Sequence, residues 1–235
     1  MVSVWMIAYN HEHFIRQAVE SVLMQQTNFP LDIVIGEDCS KDNTRQKLIE
    51  LQQQYPDKIK LLLHEKNVGM HKNVALTLDA CKGKYVALLE GDDYWTDPLK
   101  LQKQVDFMES HPTYSMCYHK EKEIYDSDPG KEQKITNTRD ASETNLEEIL
   151  EKGWFIRTAS MLFRNGLVGE LPEWFYRFPS TDYVLHVLIA RHGPIKLIDE
   201  VMAVQRRHEG GITKTSLYHP KNIGFRKIEL LKILD

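Results

Sequence analysis

The sequence predicts an α/β protein built on a doubly wound, mostly parallel sheet flanked by helices. Three observations carry that prediction. Apolar segments begin at residues 2, 31, 59 and 85, close to the ~30-residue length of a βαβ unit. Segments of helical period lie between them. The apolar segments are nearly continuous rather than alternating, as strands covered on both faces are.

Taken in order, residues 2–9 (VSVWMIAY) form the first strand, and 12–25 a helix with Ile15, Val19, Val22 and Leu23 on one face. Residues 31–36 (LDIVIG) form the second strand, followed by a helix over 42–55. A third strand at 59–64 leads to a helix at 71–81, and a fourth at 85–89 (YVALL) to a helix at 99–109. Beyond residue 110 the pattern loosens. A strand is expected at 114–119, a polar loop containing Pro129-Gly130 at 126–143, and a short helix at 146–150. A strand at 160–164, an apolar helix at 183–191, one or two strands at 195–204 and a terminal helix at 221–234 complete the chain. The expected organisation is an α/β half over 1–110, a smaller second region over 111–215 and a C-terminal helix over 216–235.

At 235 residues the chain is long enough to bury a substantial core, and 42% hydrophobic with 27% charged residues suits a globular domain. Thirty basic against 34 acidic residues leave a net charge of -4, which argues against a nucleic-acid partner. Cys39, Cys81 and Cys117 form no CxxC pair and no disulfide framework, so the expected compartment is reducing and cytoplasmic. The N-terminal MVSVWMIAYNHEH lacks a basic leader and turns polar after Tyr9, unlike a signal peptide or a membrane span. The terminal helix sets Lys221, Arg226, Lys227 and Lys232 beside Ile223, Phe225, Ile228 and Leu231. That pattern fits a solvated face packed on the core, and also peripheral contact with an anionic membrane. Oligomeric state is not legible.

Ligands of such sheets bind at the carboxyl ends of the strands, and three polar clusters fall there. Tyr9-Asn10 ends the first strand, Glu37-Asp38-Cys39-Ser40-Lys41-Asp42-Asn43-Thr44 follows the second, and Glu90-Gly91-Asp92-Asp93 follows the fourth. Carboxylates this close raise one another's pKa unless they share a proton or a cation. A hard divalent cation, Mn2+ or Mg2+, takes carboxylate oxygens and keeps room for water and substrate phosphates. Gly91 allows close approach of the backbone to a ligand. The same residues also suit a solvated acidic turn in which Asp93 or Thr96 caps the next helix.

The segments IAYNHEHFIRQAVESVL, GEDCSKDNT, NVGMHKNVALTLDACKGKYVALLEGDDYWTDPLKLQKQVDFME and RRHEGG resemble glycosyltransferase family 2, inverting enzymes of the GT-A fold. The resemblance is dense over 2–110 and thins to scattered points up to about 212. It implies a nucleotide-sugar-binding first half and an acceptor-side second half. By that resemblance Ala8, Tyr9 and Asn10 contact the nucleotide, and Glu37 with Asp38 matches the acidic pair that accepts a hydrogen bond from the base, usually uracil. Glu37 stands where Asp is usual and Cys39 where Gly is usual, which leaves the base open. Asn67, Gly69 and Asn73 lie near the donor. Glu90, Asp92 and Asp93 align with the DxD element, Glu replacing its first Asp; Glu90, Gly91 and Asp92 are the implied donor contacts there, and Asp92, Asp93 and His208 the implied cation ligands. Arg206 and Arg207 offer charge to the diphosphate. Asp182, in Ser180-Thr181-Asp182 before an apolar run, is the candidate general base. An Asp there also favours the helix dipole by about 0.3–1 kcal/mol without any catalytic role.

The implied reaction moves a sugar, from a UDP-sugar in the first instance, to a hydroxyl of a glycan or lipid-linked acceptor in surface polysaccharide synthesis. Rival functions lack their signatures. A nucleotidyltransferase wants a glycine-rich, lysine-bearing loop where this chain has AYNHEH, and a dehydrogenase wants GxGxxG. A non-catalytic nucleotide-sugar-binding module of the same fold stays open. His11 and His13 flank Glu12 without the spacing of a zinc pair, so capping or solvent roles are expected. Tyr94 and Trp95 suit packing, or stacking on a sugar or base.

Overall fold

The computed structural model describes residues 1–211 apart from Ser127, Pro129, Trp154 and Pro179. The helix expected at 216–235 lies outside the described residues. The first half alternates strand and helix: β1 (Val2–Ala8), α1 (Ile15–Leu23), β2 (Leu31–Glu37), α2 (Thr44–Gln54), β3 (Ile59–Leu63), α3 (Met70–Ala80) and β4 (Tyr85–Leu88). After them come β5 (Tyr94–Trp95), α4 (Lys100–Ser110), β6 (Met116–Tyr125), β7 (Lys134–Thr136), β8 (Glu143–Thr144) and α5 (Leu146–Lys152). The last described elements are β9 (Leu162–Arg164), α6 (Thr181–Ala190) and β10 (Ile195–Arg207).

Among the described residues ten strands form one sheet, ordered β3-β2-β1-β4-β9-β6-β10-β5, with β7 on β6 and β8 on β10. β1 pairs in parallel with both β2 and β4, and β2 with β3. The chain therefore winds one way from β1 to β3 and the other way from β1 to β4. This reversal opens a crevice beyond the carboxyl ends of β1 and β4. Beyond β4 the sheet is mixed: β9 runs antiparallel to β4 and β6, while β10 runs parallel to β6.

The near-continuous apolar strands are explained by cover on both faces. In β1, Val4, Met6 and Ala8 join the core under α1, α2 and α4, whereas Trp5 joins the core shared by α3 and α6. α6 is buried at every position except Asp182, consistent with its apolar run from Tyr183 on.

Four departures from the expected elements stand out. α1 starts at Ile15 rather than 12, because Asn10 adopts a left-handed φ of 56°. The His11 and Glu12 amides then donate to Thr44 Oγ1 and Asp42 Oδ2 instead of entering a helix. β6 continues to Tyr125 although its second half is charged, since Glu121 and Glu123 are buried. The segment expected as a polar loop at 126–143 contains β7 and the start of β8. β10 is one strand of 13 residues, with register shifts against β6 between Ile198, Val201 and Ala203. Those irregularities bend it so that its last residues reach the crevice. No helix among the described residues is long and apolar enough to cross a membrane.

Candidate active site

The crevice holds a cavity of about 450 Å3, within the ~300–1,000 Å3 usual for small-molecule sites. Four strand ends and the start of α6 supply its walls.

The end of β2 is split between interior and crevice. Glu37 is fully buried; its Oε1 accepts the Ser40 amide (2.6 Å) and its Oε2 accepts Arg45 Nε from α2 (2.5 Å). It does not line the cavity, which corrects its expected place beside a base. Asp38, one residue on, does line it. Its Oδ1 accepts the Val68 amide (2.7 Å) and its Oδ2 the Gly69 amide (3.0 Å). Each oxygen keeps a lone pair for a further donor. Asn67 Nδ2 donates to the Asp38 carbonyl (3.1 Å), so the loop before α3 is tied to the tip of β2. Gly69, with φ 85°, turns that loop into the helix. Asn73 donates from Nδ2 to the Gly36 carbonyl (2.9 Å), fixing α3 against β2.

The end of β4 carries the acidic group. Ligand oxygens of Glu90, Asp92 and Asp93 lie within 4.8 Å of one another. Glu90 Oε2 accepts Thr158 Oγ1 at 3.1 Å. Burial, with the charges of Asp92 and Asp182, pushes Glu90 up to about 8. Asp93 is buried and also held well above the carboxylate range, by burial and by Asp92 and Glu90. Its Oδ1 accepts the Arg206 amide at 2.8 Å, a bond that locks β10 to this loop. Asp92 goes the other way: burial works against its charge, but the His11 imidazole and the His208 hydrogen bond hold it below the usual range. Three carboxyl groups this close, only one of them favoured in its charged form, hold protons where a cation could stand, and their all-oxygen chemistry fits Mn2+ or Mg2+. Gln205 Oε1 is buried without a partner in the described structure and belongs to the same wall, a further acceptor facing the cavity.

β10 closes the far side. Arg206 Nη1 donates to the Asp92 carbonyl (2.6 Å) and Nη2 to the Gln17 side chain. Its guanidinium lies 4.4 Å from the Tyr94 ring centroid and 5.2 Å from that of Phe14. His208 Nε2 is 3.0 Å from Asp92 Oδ2. Arg207 turns away and pairs with Glu123. On α6, Asp182 lines the cavity, and its Oδ1 accepts Ser180 Oγ (2.5 Å) and the Tyr183 amide (2.9 Å). One turn later His186 is buried and pushed down to about 4, chiefly by desolvation, so it stays neutral.

Of the residues singled out in the sequence, Ala8, Tyr9, Asp38, Asn67, Asn73, Glu90, Asp92, Asp93 and Asp182 share the cavity wall. Asn10 does not; its Oδ1 accepts the Lys41 amide on the outer side of the turn. Gly69, Gly91 and His208 are not part of the wall: Gly69 donates its amide to Asp38, Gly91 packs against His11 and Ile15, and His208 contacts Asp92. Trp95 is buried and donates from Nε1 to the Ala159 carbonyl (2.9 Å), a packing role. Sequence reasoning missed Met70, Thr158, Thr181 and Gln205 on the wall, and it assigned His11 to capping or solvent although His11 faces Asp92. Only Gln205, adjoining RRH, carried any signal.

A doubly wound sheet with an acidic crevice at the β1/β4 reversal defines a protein of the GT-A class. The S. aureus protein TarS, residues 1–349 in complex with UDP-GlcNAc, superposes with a TM-score of 0.71 at 20% identity, covering 99% of this chain and 65% of that one. The mannosyltransferase PcManGT from Pyrobaculum calidifontis, in complex with GDP-Man and Mn2+, superposes at 0.65 and 16% identity, over 89% of this chain and 58% of its own. The sequence profile of glycosyl transferase family 2 matches residues 3–181, and the chain belongs to that family. An uncharacterized protein of Mycobacterium tuberculosis is 36% identical over 212 residues, 90% of this chain but 60% of its own length. An Escherichia coli UDP-Glc:alpha-D-GlcNAc-diphosphoundecaprenol beta-1,3-glucosyltransferase is 36% identical over 110 residues, 46% of this chain and 41% of its own. The chain thus spans less than two thirds of these relatives.

Proposed function

We propose that the chain is the catalytic domain of an inverting glycosyltransferase that moves a sugar from a UDP-sugar to a hydroxyl of a glycan or lipid-linked acceptor, in surface polysaccharide synthesis. The observation that carries this reading is the convergence of Asp38, the Glu90–Asp93 carboxylates and Asp182 on one cavity at the reversal of the sheet. The UDP-GlcNAc complex of the TarS structure and the diphosphoundecaprenol acceptor in the E. coli relative's name support donor and acceptor class. Such an acceptor would place the domain at the cytoplasmic face of a membrane.

In this reading Ala8, Tyr9, Asp38, Asn67 and Asn73 hold the nucleoside, and Arg206 steadies the loop under the diphosphate. Asp92, with Glu90, Asp93 and His208 around it, would hold Mn2+ or Mg2+, which when bound supplies Lewis-acid stabilisation of the leaving diphosphate. Asp182 takes the proton of the acceptor hydroxyl and needs to approach it to about 2.6–3.2 Å. The Ser180 hydroxyl and Tyr183 amide leave it one fixed orientation. A single displacement from the face opposite the leaving group inverts the anomeric carbon.

The test is hydrolysis of UDP-Glc, UDP-GlcNAc and GDP-Man with Mn2+ present, in the chain and in Asp92→Asn. One UDP-sugar is expected to be consumed, and Asp92→Asn to abolish that turnover while melting as a folded protein. Unchanged turnover in Asp92→Asn would refute the cation assignment. Tight nucleotide binding with no turnover of any donor would point to a non-catalytic module instead.

A further inference from the structure

We propose that His71 is a positioning residue for the transfer reaction: it ties the nucleoside wall of the cavity to the stretch that presents Asp182, so that a bound nucleotide also steadies the general base. The inference rests on the reading above and deepens it by naming a residue outside the cavity through which the donor and acceptor sides are joined.

The first turn of α3 faces two ways. Met70 and Asn73, three residues apart and therefore on one side of the helix, line the cavity. His71, between them in sequence, does not line it. Its Nε2 lies 2.6 Å from the Phe178 carbonyl, across 107 residues of chain, and its ring meets that of Phe175 edge to face at 5.8 Å. A carbonyl oxygen only accepts, so Nε2 carries the proton and donates.

Phe178 belongs to the stretch that delivers Asp182, between a 3-10 turn at Glu173–Arg177 and the start of α6 at Thr181. Among the described residues the other hydrogen bonds of residues 173–180 are local, such as Phe178 to Phe175, Arg177 to Glu173 and Ser180 to Asp182. His71 alone fastens the stretch to a distant element by a hydrogen bond. Ser180 follows closely on Phe178, and its hydroxyl donates to Asp182 Oδ1 instead of capping α6. The direction of that carboxylate therefore depends on where Phe178 is held. From the opposite side, Asp38 accepts the Val68 and Gly69 amides at the entrance to α3. A nucleoside held by Asp38 and Asn67 restrains that entrance, the first turn of the helix carries the restraint to His71, and His71 passes it to Phe178. Phe175 and Phe178 are buried and keep the stretch folded without this bond; what the bond adds is register.

Hydrogen exchange with and without UDP, read over residues 173–180, tests the link without turnover, since none of those residues lines the cavity. UDP is expected to slow exchange there at least about fivefold in the wild type, the low end of coupling between two sites. In His71→Leu that protection should vanish, with the UDP Kd kept within about twofold because the ordered stretch is already the populated one. His71→Phe, which keeps a ring against Phe175 without the donor, should behave alike and serves where His71→Leu fails to fold. His71→Gln, which returns a side-chain N–H donor, should restore the protection. In hydrolysis of the UDP-sugar that the chain consumes, His71→Leu should lower kcat and leave the donor KM unchanged. No protection by UDP in the wild type, or the same protection in a folded His71→Leu or His71→Phe, overturns the proposal, as does a raised KM with unchanged kcat. Wild type that binds no UDP on titration refutes the reading beneath it, a result distinct from all of these.

Discussion

Glu90 keeps a proton that an exposed carboxyl would have lost, because burial and the neighbouring charges of Asp92 and Asp182 raise it from 4.5 to about 8. Between those two values the folded chain binds more protons than the unfolded one. Stability therefore falls as pH rises through that window and gains nothing from this group below it. Lys100, buried and pushed down to about 7, acts with the opposite sign at higher pH, so the wild-type profile alone does not isolate Glu90. The difference from Glu90→Gln does. In metal-free buffer the melting temperature of Glu90→Gln should decline less steeply between pH 4.5 and 8 than that of the wild type. Parallel profiles would show that Glu90 is ionised throughout. At this scale the sequence was informative where a strand tip turns abruptly acidic, as at Glu90–Asp93. It was ambiguous at Glu37-Asp38, because neighbouring carboxyls look alike in a sequence while one faces Arg45 in the interior and the other the crevice. His11 was illegible, since its direction depends on Gly91, 80 residues away in the chain.

At the scale of elements, α3 owes its position to a glycine in β2. A Cβ at Gly36 would fall 2.0 Å from Thr77 Oγ1 and 2.1 Å from Asn73 Oδ1, so helix and strand meet closer than any side chain allows. Asn73 bridges the contact by donating to the Gly36 carbonyl. Gly36→Ala must push α3 outward, at a cost of about 1–3 kcal/mol for overpacking. It should also move Asn67 and Asn73, and with them weaken nucleotide binding. Urea unfolding and UDP titration check both; an unaltered UDP affinity would detach α3 from the nucleotide site. β1 to β4 and their helices were legible because burial on both faces leaves apolar runs between helical periods. The extension of β6 was not. Its stretch Lys120–Glu123 is charged and carries no apolar pattern, and only long-range pairing with β7 and β10 makes it a strand.

Over the whole molecule, the site joins residues near 10, 90 and 206 through one side chain. Arg206 holds the Asp92 carbonyl, reaches Gln17 of α1 and stacks on Tyr94 and Phe14, so β10, the acidic loop and the first helix are fastened together. A ligand that engages both the strand-one end and the acidic loop bears on the same junction, and it stabilises the chain by an amount set by its affinity, ~2.7 kcal/mol at 100-fold over Kd. If Mn2+ and UDP share the crevice as proposed, their joint stabilisation must exceed the sum of each alone, because the diphosphate completes the ion's shell. Arg206→Ala removes the fastening but not the backbone pairing of β10 with β5 and β6. The variant is expected to lose about 1–3 kcal/mol of stability and most of the excess stabilisation by the ligand pair, while keeping a cooperative transition. Melting curves with Mn2+, with UDP and with both decide the matter. Strictly additive shifts in the wild type would mean that the two ligands occupy unconnected places, and an undiminished excess in Arg206→Ala would mean that the junction is held elsewhere.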